Sequence, residues 1–136
     1  MFRFAVLSAL MAIAGAFISL GGLQQADVNS SGALEAASKV MAYVNNRPGA
    51  TVYKRLAMIH SANYQVVAGS IWHLDLVMID TSCSTAEMAP SDQVGLQDPR
   101  CPSFPGAPME RCQAQVLQPI NGEDEVISMQ CARVYQ

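Results

Sequence analysis

A chain of 136 residues suits one domain. Its 8 basic and 11 acidic residues leave a formal net charge of −3. No cluster of Lys or Arg occurs, so composition excludes the basic footprint of a nucleic-acid binder and that of a protein held on acidic membranes.

The N-terminus reads as a targeting segment. Arg3 supplies a positive start, Phe4 to Leu20 carries no charge, and Ala14-Gly15-Ala16 offers the small residues at which a signal peptidase cuts. The apolar run barely reaches the roughly 18–20 residues that span a bilayer. A retained anchor and stable membrane association are therefore not expected. Residues 1–16 are assigned as a signal peptide and 17–136 as one secreted, extracellular domain, long enough to bury a modest core.

From Asp27 to Asn46 the spacing predicts a helix. Leu34, Ala37, Val40, Met41 and Val44 form one apolar stripe, Asn29, Ser30 and Ser31 offer capping side chains, and Arg47-Pro48-Gly49 ends the segment. A helix with one apolar face needs a sheet to lie on. Val52, Leu56 and Met58 alternate with polar Lys54. After Ser61-Ala62-Asn63, a run from Tyr64 to Asp80 places Trp72, Leu74, Leu76 and Met78 on one face, and His73 and Asp75 among the apolar residues of the other. Residues 84–111, crowded with Pro and Gly, read as an irregular insertion. Strand patterns then resume at Cys112–Gln118 and Glu125–Val134. The expected fold is α+β, one long helix on an antiparallel sheet.

Four cysteines follow the targeting segment: Cys83, Cys101, Cys112 and Cys131. An even count in an exported chain reads as disulfides, and the absence of a CxxC pair argues against a metal. Asn121-Gly122 is a strong two-residue hairpin signal. A turn there sets Cys112 opposite Cys131 at a Cα separation of roughly 4.5–5.5 Å, within disulfide range. Elimination leaves Cys83 with Cys101.

Gln65-Val66-Val67-Ala68-Gly69 resembles the QxVxG motif of cystatins, which forms the first hairpin loop of their inhibitory wedge. Gly21-Gly22 lies ahead of the helix, where secreted cystatins carry the glycine of an N-terminal contact segment. The cysteine order and pairing also resemble the family's. The resemblance covers nearly all of residues 17–136 and implies the cystatin fold and reversible, competitive inhibition of papain-like cysteine proteases. It implies three contact pieces: the segment ending at Leu20, Gly21 and Gly22, the loop Gln65 to Gly69, and a second hairpin loop at Pro119-Ile120. Leu20 would fill an apolar S2 pocket, which favours cathepsin L-like enzymes. The sequence departs from the pattern twice. Ile120 stands where the family carries Trp, and Gly49 stands where many members carry the asparagine that blocks legumain.

The same residues have plainer readings. Val66 and Val67 suit a strand interior, Trp72 a core, Gly32 a tolerated helix glycine, and His60 and His73 structural or solvated positions. Asn29-Ser30-Ser31 is an N-glycosylation sequon. No GxSxG elbow occurs and the cysteines are committed to disulfides, so no catalytic residue, metal or cofactor is expected. The competing function is a non-inhibitory secreted protein of the same fold that binds another partner or acts on microbes or membranes. Ile120 is its main support.

Overall fold

The computed structural model describes residues 22–88 and 100–135. In chain order these form strand β1 (Gln24–Ala26), helix α1 (Ser31–Asn45) and strands β2 (Val52–Val67), β3 (Gly69–Ser84), β4 (Met109–Gln118) and β5 (Glu125–Val134). The strands make one antiparallel sheet in the order β1-β2-β3-β4-β5. Spatial order therefore follows chain order, and α1 lies across one face.

The helix begins where its first orphan N–H groups find an acceptor. Ser30 is the N-cap, and its hydroxyl accepts from the Ala33 N–H at 3.3 Å. Asn46 caps the other end, ahead of Pro48 and of Gly49, whose φ is +85°. The buried stripe is Ala33, Ala36, Ala37, Val40, Met41 and Val44. Leu34, expected on that stripe, is 37% exposed. The alanines form the contact face because small side chains let the helix lie close to the sheet. Gly32 completes that approach, since a Cβ there would sit 2.5 Å from the indole of Trp72. Far from merely tolerated, this glycine makes room for a ring.

The α1 stripe packs on Leu56, Ala62, Trp72, Leu74, Leu76, Met78, Cys112, Ala114 and Val116. Each large apolar side chain buried here contributes about 1.5–3 kcal/mol before the entropy of ordering is set against it. On β3 the expected alternation holds: Trp72, Leu74, Leu76 and Met78 are buried, and the residues between them are partly wet. On β2 it does not. Register shifts between Leu56 and Met58 and between Ile59 and Ser61 reverse which face successive residues take. Met58 is 50% and Val52 40% exposed, while Ile59 and Ala62 join the core with Leu56. Ser61-Ala62-Asn63 is no break either. β2 runs through it and turns only at Ala68.

Both disulfides have the expected pairing, with Cα separations of 5.6 Å for Cys83–Cys101 and 4.1 Å for Cys112–Cys131. The hairpin that opposes Cys112 to Cys131 is not a two-residue turn, however. Pro119 to Asp124 lie outside the strands, and a bulge between Gln115 and Val116 shifts the register by one. The shift offsets the longer loop, which is why the cysteines still face each other. The irregular segment is narrower than 84–111, because β3 extends to Ser84 and β4 begins at Met109. Its described part is fastened to β3: the Ser82 N–H donates to the Pro102 carbonyl at 3.2 Å, and the Asp80 N–H to Pro108 at 3.0 Å. Cys101 and Met88 pack there against Tyr53 in a second, smaller apolar cluster.

Candidate functional site

One end of the sheet gathers exposed aliphatic groups. Gln65, Val66 and Val67 finish β2 and pair with Ile71, Ser70 and Gly69 of β3, leaving Ala68 at the apex. Val66 and Val67 are 56% and 42% exposed, and Ala68 is exposed as well. These residues are strand, as the plainer reading had it, and also the tip of a hairpin. Two paired backbones hold the tip, so little conformational entropy remains to be lost when it is covered.

Gly69 joins this tip to the next loop. Its φ of +100° is open to glycine at little cost, and a Cβ there would overlap the Gln118 carbonyl oxygen and press on Pro119. The absence of a side chain thus lets the Pro119–Asp124 loop lie directly against the first hairpin. Ile120, at the loop's outer edge, is 76% exposed. Gln118 fixes the loop from beneath. Its side-chain oxygen accepts from the Trp72 indole N–H at 3.0 Å and the Ser70 hydroxyl at 3.2 Å, while its amide donates to Asp124 at 3.3 Å.

The N-terminal segment reaches the same end. β1 pairs Gln24 with Tyr64, Gln25 with Asn63 and Ala26 with Ala62. Extending that register carries Gly22 toward Val66, beside the tip, and Leu23 is 58% exposed next to it. Leu20 and Gly21 lie outside the described residues. Tyr64 holds this piece: its hydroxyl donates to the Gln24 side chain at 2.8 Å, and its ring packs on Trp72 with centroids 5.3 Å apart. Tyr64 and Trp72 are direct cross-strand partners. The pair therefore ties β1 to the second loop beneath the first hairpin. Sequence reading missed β1, Gln118 and the role of Tyr64. A three-residue strand, Gln-Gln-Ala, shows no apolar alternation, and Gln118 has no local signature.

The opposite end is charged and structural. Lys54 reaches Asp80 at 2.6 Å and Glu110 at 2.8 Å, linking β2, β3 and β4. Burial lowers the affinity of the Lys54 ammonium for its proton, but the hydrogen bonds to Asp80 and Glu110 outweigh it, and the pKa is raised. Asn45, buried at the end of α1, accepts from the Lys54 N–H and donates to the Lys54 carbonyl, both at 2.8 Å. On the outer face Arg111 grips Asp75 with two bonds of 2.9 and 2.6 Å, and its hydrogen bonding holds the Asp75 carboxyl below the usual range. Among the described residues, one group brings metal-ligating atoms together, Glu110 with Cys112 and Cys131. Its two sulfurs are joined in a disulfide and offer no thiolate.

A family model of the cystatin domain matches residues 21–121. The chain belongs to the cystatin family. Members of that family are typically inhibitors of cysteine proteases rather than enzymes. Bovine (Bos taurus) cystatin-C is 35% identical over 68 residues, a stretch that spans 50% of this chain and 46% of that protein. Among solved structures, dimeric human cystatin F superposes with a TM-score of 0.70 at 20% identity, covering 86% of this chain and 90% of that one. A salivary cystatin from the soft tick Ornithodoros moubata gives 0.62 at 22% identity, over 82% and 97%. At these identities the structural likeness shows a shared cystatin fold.

Proposed function

We propose that the chain is exported, cleaved after Ala16, and acts outside the cell as a reversible, competitive inhibitor of papain-like cysteine proteases. One observation carries this reading: exposed aliphatic groups from three separated stretches of chain meet at one end of a disulfide-braced sheet. Several large apolar side chains exposed at one end of a domain mark a candidate place of contact. Here Leu23, Val66 to Ala68 and Ile120 are exposed at the same end of the sheet, and this reading has them enter the protease cleft together. Gln65, Gly69 and Pro119 belong to the same end, and the reading assigns further contacts to Leu20 and Gly21, which lie outside the described residues. Gln65 and Gly69 shape the first hairpin, Pro119 precedes Ile120 in the second loop, and Leu20 would fill an apolar S2 pocket.

The mode of inhibition follows from what the edge contains. Val66, Val67, Ala68 and Ile120 offer apolar area without a nucleophile or a scissile strained bond. Binding would therefore exclude substrate from the cleft without bonding to the catalytic sulfur. A leucine at position 20 favours cathepsin L-like enzymes over proteases whose clefts are restricted. The test is titration of purified protein against papain with a fluorogenic substrate. Loss of activity that saturates near equimolar inhibitor, and returns on dilution, is expected. No inhibition at micromolar concentration would transfer the reading to a non-inhibitory cystatin-fold protein, with Ile120 the residue to explain it.

A further inference from the structure

We infer that Asn29 is a site of N-linked glycosylation and that the first sugars of the glycan lie over a shallow groove between α1 and β2 that exposes both aliphatic side chains and polar groups. The inference rests on the export reading, since the modification needs passage through a eukaryotic secretory lumen. Asn29-Ser30-Ser31 is a sequon. Asn29 is exposed in the turn between β1 and α1. The bond that shapes this turn runs from its backbone N–H to Asp27 at 2.8 Å and leaves the side-chain amide uninvolved.

The surroundings of Asn29 assign the glycan a place. Asn29 lines the rim of a groove of about 440 Å³ whose other walls are Val28, Leu34, Leu56, Ala57, Met58 and Ile59. Leu34 and Met58 are 37% and 50% exposed there. β1 pairs only with Ala62 to Tyr64, so among the described residues the edge of β2 from Val52 to Ser61 has no strand beside it. An open strand edge with exposed aliphatic side chains beside it invites association between chains. Sugar rings present a C–H face that packs on aliphatic side chains while their hydroxyls stay in water. A glycan rooted at the rim covers both the groove and the edge. Met58 is roughly 25 Å along β2 from Val66, so the glycan leaves the proposed contact edge clear.

The transfer is a simple displacement. The Asn29 Nδ2 attacks C1 of an oligosaccharide carried on a polyprenyl diphosphate. The N–C1 bond forms as the C1–O bond to the diphosphate breaks, the lipid diphosphate leaves with the electron pair, and the amide loses one proton. Nothing is oxidised or reduced.

The test expresses the full chain in insect or mammalian cells, alongside residues 17–136 behind an established signal peptide. Peptide-N-glycosidase treatment should lower the mass of the secreted protein by one glycan and leave aspartate at position 29. A glycan on both chains supports the site and export together. A glycan only behind the borrowed signal supports the site and removes the export reading. Secreted protein with unmodified Asn29 from both overturns the site. The groove is tested separately with Ser31→Ala, which removes the sequon but keeps the Ser30 cap, and Ser31→Thr, which preserves it. Ser31→Ala should bind more of a hydrophobic dye and self-associate more than Ser31→Thr, and adding Leu34→Lys should reverse both. Equal dye binding by the two variants would overturn the placement of the glycan.

Discussion

Gly32 faces the indole of Trp72 across a gap that leaves no room for a methyl group. The ring cannot retreat easily, because its N–H is bonded to Gln118 and it packs on the ring of Tyr64. Gly32→Ala should therefore destabilise the fold by about 1–3 kcal/mol, the cost typical of an overpacked core, read as a lower urea midpoint at unchanged m-value. Gly69→Ala tests the junction of the two loops. It combines a positive φ with a clash against the Gln118 backbone, so the second loop must move away. Papain inhibition should weaken about tenfold, or 1.4 kcal/mol, while secondary structure by circular dichroism stays unchanged. Ile120 points the other way. It offers less area than the Trp usual at this place, so Ile120→Trp should tighten binding by about 1–2 kcal/mol. Stopped-flow dissociation should show the gain as a slower off-rate, and an unchanged rate would mean that this loop does not touch the enzyme.

At the scale of elements, β3 was legible and β2 was not, for a physical reason. β3 keeps a strict two-residue period over its buried residues, so face and burial follow from its sequence. The bulges of β2 reverse its faces within a few residues, and no residue in Leu56-Ala57-Met58-Ile59 announces them. The helix was legible in place, although it begins at Ser31 rather than Asp27, and its contact face was misplaced toward Leu34, because alanines carry little hydrophobic signal however closely they pack. Gly32 was misread for a related cause: its partner is forty positions away in the chain. Two ion pairs shape the pH dependence, Lys54 with Asp80 and Glu110 at the charged end and Arg111 with Asp75 on the outer face. Lys54 has a raised pKa, so its contribution is complete below the ordinary lysine value of 10.5 and is lost as pH rises through the folded-state value. Asp75 has a lowered pKa, so its contribution is complete above the ordinary 3.8 and is lost as pH falls through the folded-state value. Thermal melts should show a broad plateau between these limits. Lys54→Met should lower the plateau by about 2 kcal/mol, less than for a fully buried pair because these groups are partly wet. It should also abolish the alkaline fall.

For the whole molecule, the two disulfides brace the half of the sheet from Cys83 onward, each closing a short loop. The helix, β1 and the Gln65–Gly69 hairpin are held by packing and backbone pairing alone. Residues 17–20 precede the first cross-linked cysteine in the chain, and removing them should leave the melting curve unchanged. It should weaken inhibition of a leucine-preferring protease by about tenfold or more, as expected for loss of one leucine from an apolar pocket. Equal inhibition by both forms would exclude Leu20 from that pocket. The overall architecture was readable because helix, strands and cysteines each signal locally. The assembly of three distant pieces at one end was implied by resemblance alone, since it depends on contacts across the sheet. Those contacts have an optical consequence. Trp72 is the chain's one tryptophan, and it touches the helix through Gly32, the arm-bearing edge through Tyr64 and the second loop through Gln118. The intrinsic emission of the protein is therefore a reporter of this junction. A change that loosens any of the three pieces should redden the spectrum, even where the cross-linked half stays intact.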